Sequence, residues 1–252
     1  MISIKSVTVE GIPLLEISPK GKELDLLPTV IFFHGWTSNK ESSLVNGYEL
    51  AKKGFRALLP DAYLHGERKE KDLSSQGLEF WNVVTRNLIE LPLMREYYVN
   101  KGLSDSDRFG VSGLSMGGFT TCAALTQFPW IKTAAILMGS PDPVNFTKWL
   151  LSSKWTEGIE LPISKEVLTG SLTALMPISL AKHPEKIANR FVHFWHGTQD
   201  DLVPYQPTFD FYEKVKHQSY GSNVSFSTSK GIGHKVPYAK SVEMATFFST
   251  HL

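Results

Sequence analysis

Six short runs recur along the chain, "TVIFFHG" (29–35), "FRALLPDA" (55–62), "RFGVSG" (108–113), "KTAAILMG" (132–139), "FVHFWHG" (191–197) and "NVSFSTS" (223–229). Stretches of helical character separate them: 42–53, 77–100 with Pro92 as a possible kink, 116–127, "YQPTFDFYEKV" and the final "YAKSVEMATFFSTHL". A run that is apolar at nearly every position, as "TVIFFHG" is, suits a strand buried on both faces. Strands that alternate with helices predict an α/β fold with a mostly parallel central sheet and helices on both faces. The N-terminus adds a hairpin, with "SIKSVTV" and "PLLEI" flanking Glu10 and Gly11.

One region breaks the alternation. Residues 141–190 hold no convincing strand, but they carry amphipathic segments such as "FTKWLLSSKW" and "SKEVLTGSLTALM". About 50 residues is too long for a simple connection. The expectation is one domain over 1–252 with a helical cap insertion at 141–190. The alternative is two ordinary helices and loops packed on the sheet edge. Length agrees with a single large domain, since 252 residues suffice for a substantial core.

The formal net charge of +1 gives no basic excess to attract nucleic acid or an anionic membrane surface. Neither kind of partner is expected. The N-terminal stretch alternates apolar and polar residues and lacks the basic start and apolar core of a signal peptide. No run of about 18 apolar residues reads as a membrane span. Cys122 is the single cysteine, so no intrachain disulfide is possible. The expected address is the cytoplasm, and Cys122 reads as a buried small hydrophobe.

The chemistry starts at "GVSGLSMGGF" (110–119). Gly113-Leu114-Ser115-Met116-Gly117 is a G-x-S-x-G pattern between a strand and a helix, the context of a nucleophile elbow. The turn must be sharp enough to project Ser115 from the sheet's C-terminal edge. Residues two before and two after the serine would collide there if they carried Cβ atoms. The helix that follows aims its first amides at any nearby anion, so the Met116 N–H is one expected oxyanion donor.

Serine is a poor nucleophile without a base oriented by an acid. "GIGHKVP" (231–237) places His234 in a glycine-rich loop after the last strand. "WHGTQDDLVP" (195–204) places Asp200 and Asp201 in the loop after the strand before it. The order Ser, Asp, His is that of the α/β-hydrolases, and all three loops belong to one sheet edge. Asp142 follows another strand, "KTAAILMG", and is a rival acid. In "FFHGWTSNK" (32–40), Gly35 allows close approach and Trp36 is the expected second oxyanion donor. His193 and His196 read as structural, with His196 bracing the acid loop. His183, His217 and His251 read as solvated residues of helices. No histidine and carboxylate spacing suits zinc, so no metal site is expected.

Taken together, "HGW", "GLSMGG", "HGTQDDLVP" and "GIGH" resemble the α/β-hydrolase superfamily over nearly the whole chain. The likeness is to small bacterial carboxylesterases near the dienelactone-hydrolase and prolyl-oligopeptidase branch. That resemblance implies Asp200 as the triad acid, from the aspartate of the H-G-x-x-D-x-x-V-P stretch. It also puts "PDAYLHGER" (60–68) near the active-site mouth. His34 and His65 are candidate substrate-binding residues, and so are Trp149 and Trp155, apolar residues of the expected cap at 141–190. Dienelactone hydrolases use a cysteine nucleophile, and the serine here argues against dienelactones. The implied activity is hydrolysis of a small-molecule ester with short or medium acyl chains, with no cofactor. Peptide or thioester hydrolysis on the same triad, or ligand binding on the same scaffold, are the alternatives.

Overall fold

The computed structural model describes residues 1–70, 79–153 and 164–252. Eight strands form one sheet: β1 (Ile2–Val9), β2 (Ile12–Pro19), β3 (Leu27–Phe33), β4 (Arg56–Pro60), β5 (Ser104–Leu114), β6 (Ile131–Leu137), β7 (Phe191–Gly197) and β8 (Val224–Ser229). Their order across the sheet is β1-β2-β4-β3-β5-β6-β7-β8. The β1–β2 hairpin joins β4 antiparallel, and the pairings from β4 to β8 are parallel.

Helices α1 (Leu44–Lys52) and α7 (Tyr238–His251) cover one face. Helices α2 (Phe80–Asn100), α3 (Met116–Gln127) and α6 (Tyr205–Val215) cover the other. Alternating side chains of a strand feed two cores. Val30 and Phe32 pack with Leu50, Ala51, Met244 and Phe248. Ile31 and Phe33 pack with Val83, Leu91 and Phe119. This is why the strand runs are apolar throughout, and each such buried side chain contributes roughly 1.5–3 kcal/mol.

The chain leaves β3 for β4 on one side and returns to β5 on the other, so strand order reverses between β3 and β5. Ligands of open α/β sheets bind in the crevice at the carboxyl ends of strands at such a reversal. Phe33 pairs with Gly113 there, which sets the end of β3 beside the expected elbow.

Several boundaries differ from the sequence reading. Strand β5 starts at Ser104 rather than Arg108, with an irregular register between Leu27 and Thr29 of β3. The helix expected over 77–100 begins at Phe80 among the described residues and runs through Pro92. Leu88, Leu91, Met94 and Tyr98 are buried along it, and that packing outweighs the roughly 3 kcal/mol cost of an internal proline. Within 141–190 the described residues form α4 (Pro143–Leu151), α5 (Lys165–Leu175) and short 3-10 turns at Met176–Ile178 and Pro184–Ile187. His183 precedes the 3-10 turn Pro184–Ile187 and His217 lies in a turn, neither in an α-helix, and His251 stacks on Phe191 with centroids 4.1 Å apart. Among the described residues no helix is long and apolar enough to cross a membrane.

Candidate active site

Ser115 occupies the sharp turn between β5 and α3 with φ 54° and ψ −116°. A non-glycine residue in such a conformation costs on the order of 1–3 kcal/mol and persists where the surroundings fix it. The Ser115 N–H donates to the Leu137 carbonyl at 2.9 Å, and the Ser115 carbonyl accepts the Phe119 N–H at 3.0 Å. One bond ties the turn to β6 and the other starts the helix. A Cβ on Gly113 would lie 2.4 Å from the Gly117 carbonyl, the collision expected within the elbow. A Cβ on Gly117 would instead lie 2.0 Å from the Phe33 carbonyl, so the second glycine is required by the end of β3.

His234 Nε2 lies 2.9 Å from Ser115 Oγ. Its Nδ1 lies 2.9 and 2.8 Å from the two carboxyl oxygens of Asp200. A carboxylate only accepts, so Nδ1 carries the ring proton and Nε2 accepts from the serine hydroxyl. The Asp200 side chain is 0% exposed. Burial pushes its acidity down, but hydrogen bonds from His196 and His234 outweigh burial and hold Asp200 well below the usual carboxylate range. Oδ1 also accepts the Leu202 and Val203 amides at 3.0 and 2.9 Å, which fixes the acid loop around the carboxylate.

The acid loop and the histidine loop are tied to each other. The Thr198 N–H donates to the Ser229 carbonyl and the Gln199 N–H to the Ile232 carbonyl, at 3.1 and 2.9 Å. The Gly231 N–H donates to Thr198 Oγ1 at 2.9 Å. His196 lies beneath them, with Nε2 donating to Asp200 Oδ2 at 3.1 Å and to the Val203 carbonyl at 2.9 Å. Its Nδ1 is then a buried acceptor with no partner.

The rival acids lie elsewhere. Asp142 caps α4, accepting the Asn145 N–H at 3.0 Å and the Asn145 side-chain amide at 2.7 Å. Asp201 is exposed on the loop surface. His193 is held between Ser225 at 2.8 Å and Glu243 at 3.1 Å, on the side of the sheet under α7.

Two loops meet beside the elbow, residues 34–40 after β3 and 60–68 after β4. Sequence reasoning treated His34 and His65 as substrate-binding residues. The structure buries both, each at 1% exposure, and commits all four ring nitrogens to the protein. His34 Nδ1 donates to the Gly35 carbonyl at 2.8 Å, and Nε2 accepts the Ala62 N–H at 3.0 Å. His65 Nδ1 donates to the Tyr63 carbonyl at 2.8 Å, and Nε2 accepts the Thr37 N–H at 3.1 Å. Burial lowers both groups, His34 to about 4. They join loop to loop and leave no ring nitrogen for a ligand.

A buried ion pair that the sequence reading missed makes a third clamp. Lys40 Nζ donates to Asp61 Oδ2 at 2.7 Å, and the Lys40 N–H donates to Asp61 Oδ1 at 2.9 Å. Burial opposes the charge on Lys40, but hydrogen bonds to Asp61, Glu67 and Glu41 outweigh it and hold its ammonium protonated to a pH above the usual lysine range. Gly66, with φ 54°, lets the loop fold over the carboxylate, since a Cβ would lie 2.0 Å from Asp61 Oδ1. Arg68 then forks onto Glu90 of α2 with two bonds of 2.7 Å. The available signal was one charge, Asp61, directly after the apolar run of β4.

Trp36 is half-buried at the crevice, and Met116 is the first residue of α3. A first-turn amide has no acceptor within its helix, so the Met116 N–H is free to face an oxyanion. From Trp36 a row of rings runs away from the elbow: Phe80 at 5.6 Å, then Phe146 at 6.2 Å from Phe80, then Trp149 stacked on Phe146 at 5.6 Å. Trp149 and Phe146 also line an apolar cavity of about 90 Å³ with Ser140, Asn145, Pro204 and Pro207. Trp155 lies outside the described residues. Among the described residues, no group of three His, Cys, Asp or Glu side chains could hold a metal ion.

The chain is similar to known proteins in sequence and fold. A family model described as the prolyl oligopeptidase family matches residues 88–249. YitV of Bacillus subtilis (strain 168), whose name proposes an esterase, is 38% identical over 100% of both chains. The esterase YjfP of Escherichia coli (strain K12) is 28% identical over 100% of both chains. Among solved structures, TT1662 from Thermus thermophilus superposes with a TM-score of 0.78 at 20% identity, covering 99% of this chain and 98% of that one. A model matching more than half of the chain and a full-length relative at 38% identity make this protein a member of the prolyl oligopeptidase family, with the α/β-hydrolase fold of the serine hydrolases.

Proposed function

We propose that the protein hydrolyses small carboxylic esters with short or medium acyl chains, through an acyl-enzyme on Ser115. One observation carries this reading: His234 bridges Ser115 Oγ at 2.9 Å and the Asp200 carboxylate at 2.8 Å. That is nucleophile, base and orienting acid in one line. The names of the full-length relatives support ester substrates.

Each step follows from the hydrogen bonds. Ser115 Oγ attacks the ester carbonyl carbon as its proton passes to His234 Nε2. The buried Asp200 carboxylate holds the ring in the required tautomer and stabilises the imidazolium. The Met116 and Trp36 amides receive the carbonyl oxygen as it becomes an oxyanion. The imidazolium Nε2 protonates the departing alcohol, leaving Ser115 acylated. Water then gives a proton to Nε2 and attacks the acyl carbon. The carboxylic acid leaves and Ser115 recovers its proton.

The described residues within 141–190 act as part of a cap over this site, with Trp149 and Phe146 facing the acyl chain. The cytoplasm is the address that suits the single buried cysteine.

The test is a panel of p-nitrophenyl esters of rising chain length, with a fluorophosphonate probe and Ser115→Ala. Turnover should fall by about a thousandfold or more in the variant while the fold is kept. The probe should label Ser115 alone. Full activity without Ser115, or labelling elsewhere, overturns the reading. Faster turnover of matched peptides or thioesters would move the activity to another acyl group.

A further inference from the structure

We propose that the sheet edge opposite the catalytic loops docks on an anionic lipid surface, with Leu24 and Leu26 entering the interface and Lys22, Lys52 and Lys53 meeting the head groups. Strand pairing places this edge. Ala57 of β4 pairs with Ile17 of β2 in antiparallel register, so β2 ends where β4 begins. Trp36, Ser115, Asp200 and His234 follow the carboxyl ends of β3, β5, β7 and β8, at the other end of the parallel strands. Pro19 and Gly54, at the end of β2 and before β4, line a groove of about 500 Å³. Lys22, Lys52 and Lys53 line it as well, around the ring of Tyr48.

The connection from β2 to β3 is anchored from below and apolar on top. Arg56 is fully buried and paired with Glu16. Its Nη2 donates to the Glu23 and Asp25 carbonyls at 3.0 and 3.1 Å, and its Nε donates to the Leu103 carbonyl at 3.2 Å. These bonds hold the backbone on both sides of Leu24. Leu24 is nevertheless 84% exposed, and Leu26 is 57% exposed. A fixed backbone that holds two leucines in water gains from any apolar phase it meets. Tyr48 is exposed beside the same groove. An apolar ring with a polar tip suits the boundary between lipid and water.

Charge selects the partner. Lys22 and Lys53 have no acidic partner among the described residues, and Lys52 pairs with Glu49 at 3.0 Å. Lys5 and Lys20 lie on the same hairpin. Glu23 and Asp25 are the acidic side chains of the connection, and Glu23 folds back onto the Gly21 N–H at 2.8 Å. The local excess of lysine is averaged away in the whole-chain charge of +1. A second copy on this face would bring like charges together, which disfavours self-association. An anionic bilayer offers an apolar interior to the leucines and negative head groups to the lysines. Docked this way, the protein keeps the Ser115 crevice facing water.

The test is co-sedimentation with sucrose-loaded vesicles of equal phosphatidylcholine and phosphatidylglycerol, against vesicles of phosphatidylcholine alone. The protein should pellet with the anionic vesicles at about 0.05 M salt and be released at about 0.5 M, where screening is short-ranged. Two variants separate the two contacts. Leu24→Ser with Leu26→Ser removes the apolar insertion and should weaken partitioning by about tenfold or more. Lys22→Gln with Lys52→Gln and Lys53→Gln removes the charge. Each lysine near such a surface is worth roughly fivefold, so this variant should lose about 100-fold. All five positions are exposed, so both variants should keep the wild-type circular dichroism. Where one fails to fold, the other decides. Failure of wild type to bind anionic vesicles overturns the proposal, and so does equal binding by wild type and either variant. Binding to polyglutamate as tight as to vesicles would assign the patch to an acidic protein and overturn it. A wild-type dimer in sedimentation velocity that dissociates in the leucine variant would overturn it as well, because the face would then be a self-interface.

Discussion

His196 and Asp200 share a hydrogen bond sealed from solvent, 3.1 Å from Nε2 to Oδ2 with both side chains 0% exposed. The same carboxylate serves His234, so two imidazoles draw on one negative charge. Removing the His196 donor should return that charge to His234 and strengthen the Asp200 pairing with the imidazolium. We expect His196→Phe to move the acid limb of kcat/KM to higher pH. It should also lower unfolding free energy by about 1.5–3 kcal/mol, the range for a hydrogen bond to a charged group. A pH–rate profile with an unmoved limb would leave His196 a packing residue only.

Three Asp→Asn changes test the acid. Asn keeps shape, but its amide would donate to His234 Nδ1 and favour the wrong tautomer. Asp200→Asn should lose about ten-thousandfold in kcat, the size of the effect in a comparable triad. Asp201→Asn and Asp142→Asn should stay within about tenfold of wild type, or roughly 1.4 kcal/mol. Asp142→Asn should leave stability nearly unchanged as well, because asparagine caps a helix about as well as aspartate, whereas Asp142→Ala should cost about 1 kcal/mol. A severe kinetic loss at Asp142 would place the acid after the wrong strand.

Most of the sheet was legible because strands buried on both faces are apolar without a break, as in Val30–Phe33. Ser115, Asp200 and His234 were legible because short motifs put each at the end of such a strand. His34 and His65 were misread. A loop histidine has the same local sequence whether it faces a ligand or bonds to a neighbouring loop, and here the partner is 28 residues away. The buried Lys40–Asp61 pair was missed for the same reason, since charges mostly sit in water and only long-range packing removes them from it. The start of β5 at Ser104 was hidden by Asp105 and Asp107, polar residues at a partly exposed strand end.

Buried His34 gives a pH dependence whose sign is fixed. Burial lowers it from its ordinary 6.5 to about 4, so the unfolded chain binds the proton more readily. Stability contributed by neutral His34 is complete above pH 6.5 and is lost as pH falls toward 4. Between pH 7.5 and 5 the loss should be about 2 kcal/mol from this group. His65 is shifted the same way and adds to it. Urea unfolding at pH 7.5 and 5 measures the difference, and His34→Gln should flatten it. An equal slope in His34→Gln would assign the pH dependence to other groups.

The apolar cavity beside α4 makes a prediction about chain length. Its volume is about 90 Å³, and Phe146, Trp149, Pro204 and Pro207 supply most of its walls. An apolar cavity of about 150 Å³ can hold benzene, so this one is too small for an aromatic ring. A short aliphatic acyl group fits instead, and the ring contacts from Phe146 through Phe80 to Trp36 link the cavity wall to the crevice. If acyl groups enter here, wild type should turn over butyrate or shorter esters better than benzoate or octanoate. Trp149→Ala should enlarge the space and raise relative kcat/KM for octanoate over butyrate by about tenfold, the low end of what one methylene is worth in an apolar pocket. Trp149→Phe should shift it less. A panel of p-nitrophenyl esters run on all three proteins reads the ratio directly. Parallel losses at every chain length would make Trp149 part of the packing of α4 and move the acyl site elsewhere along the crevice.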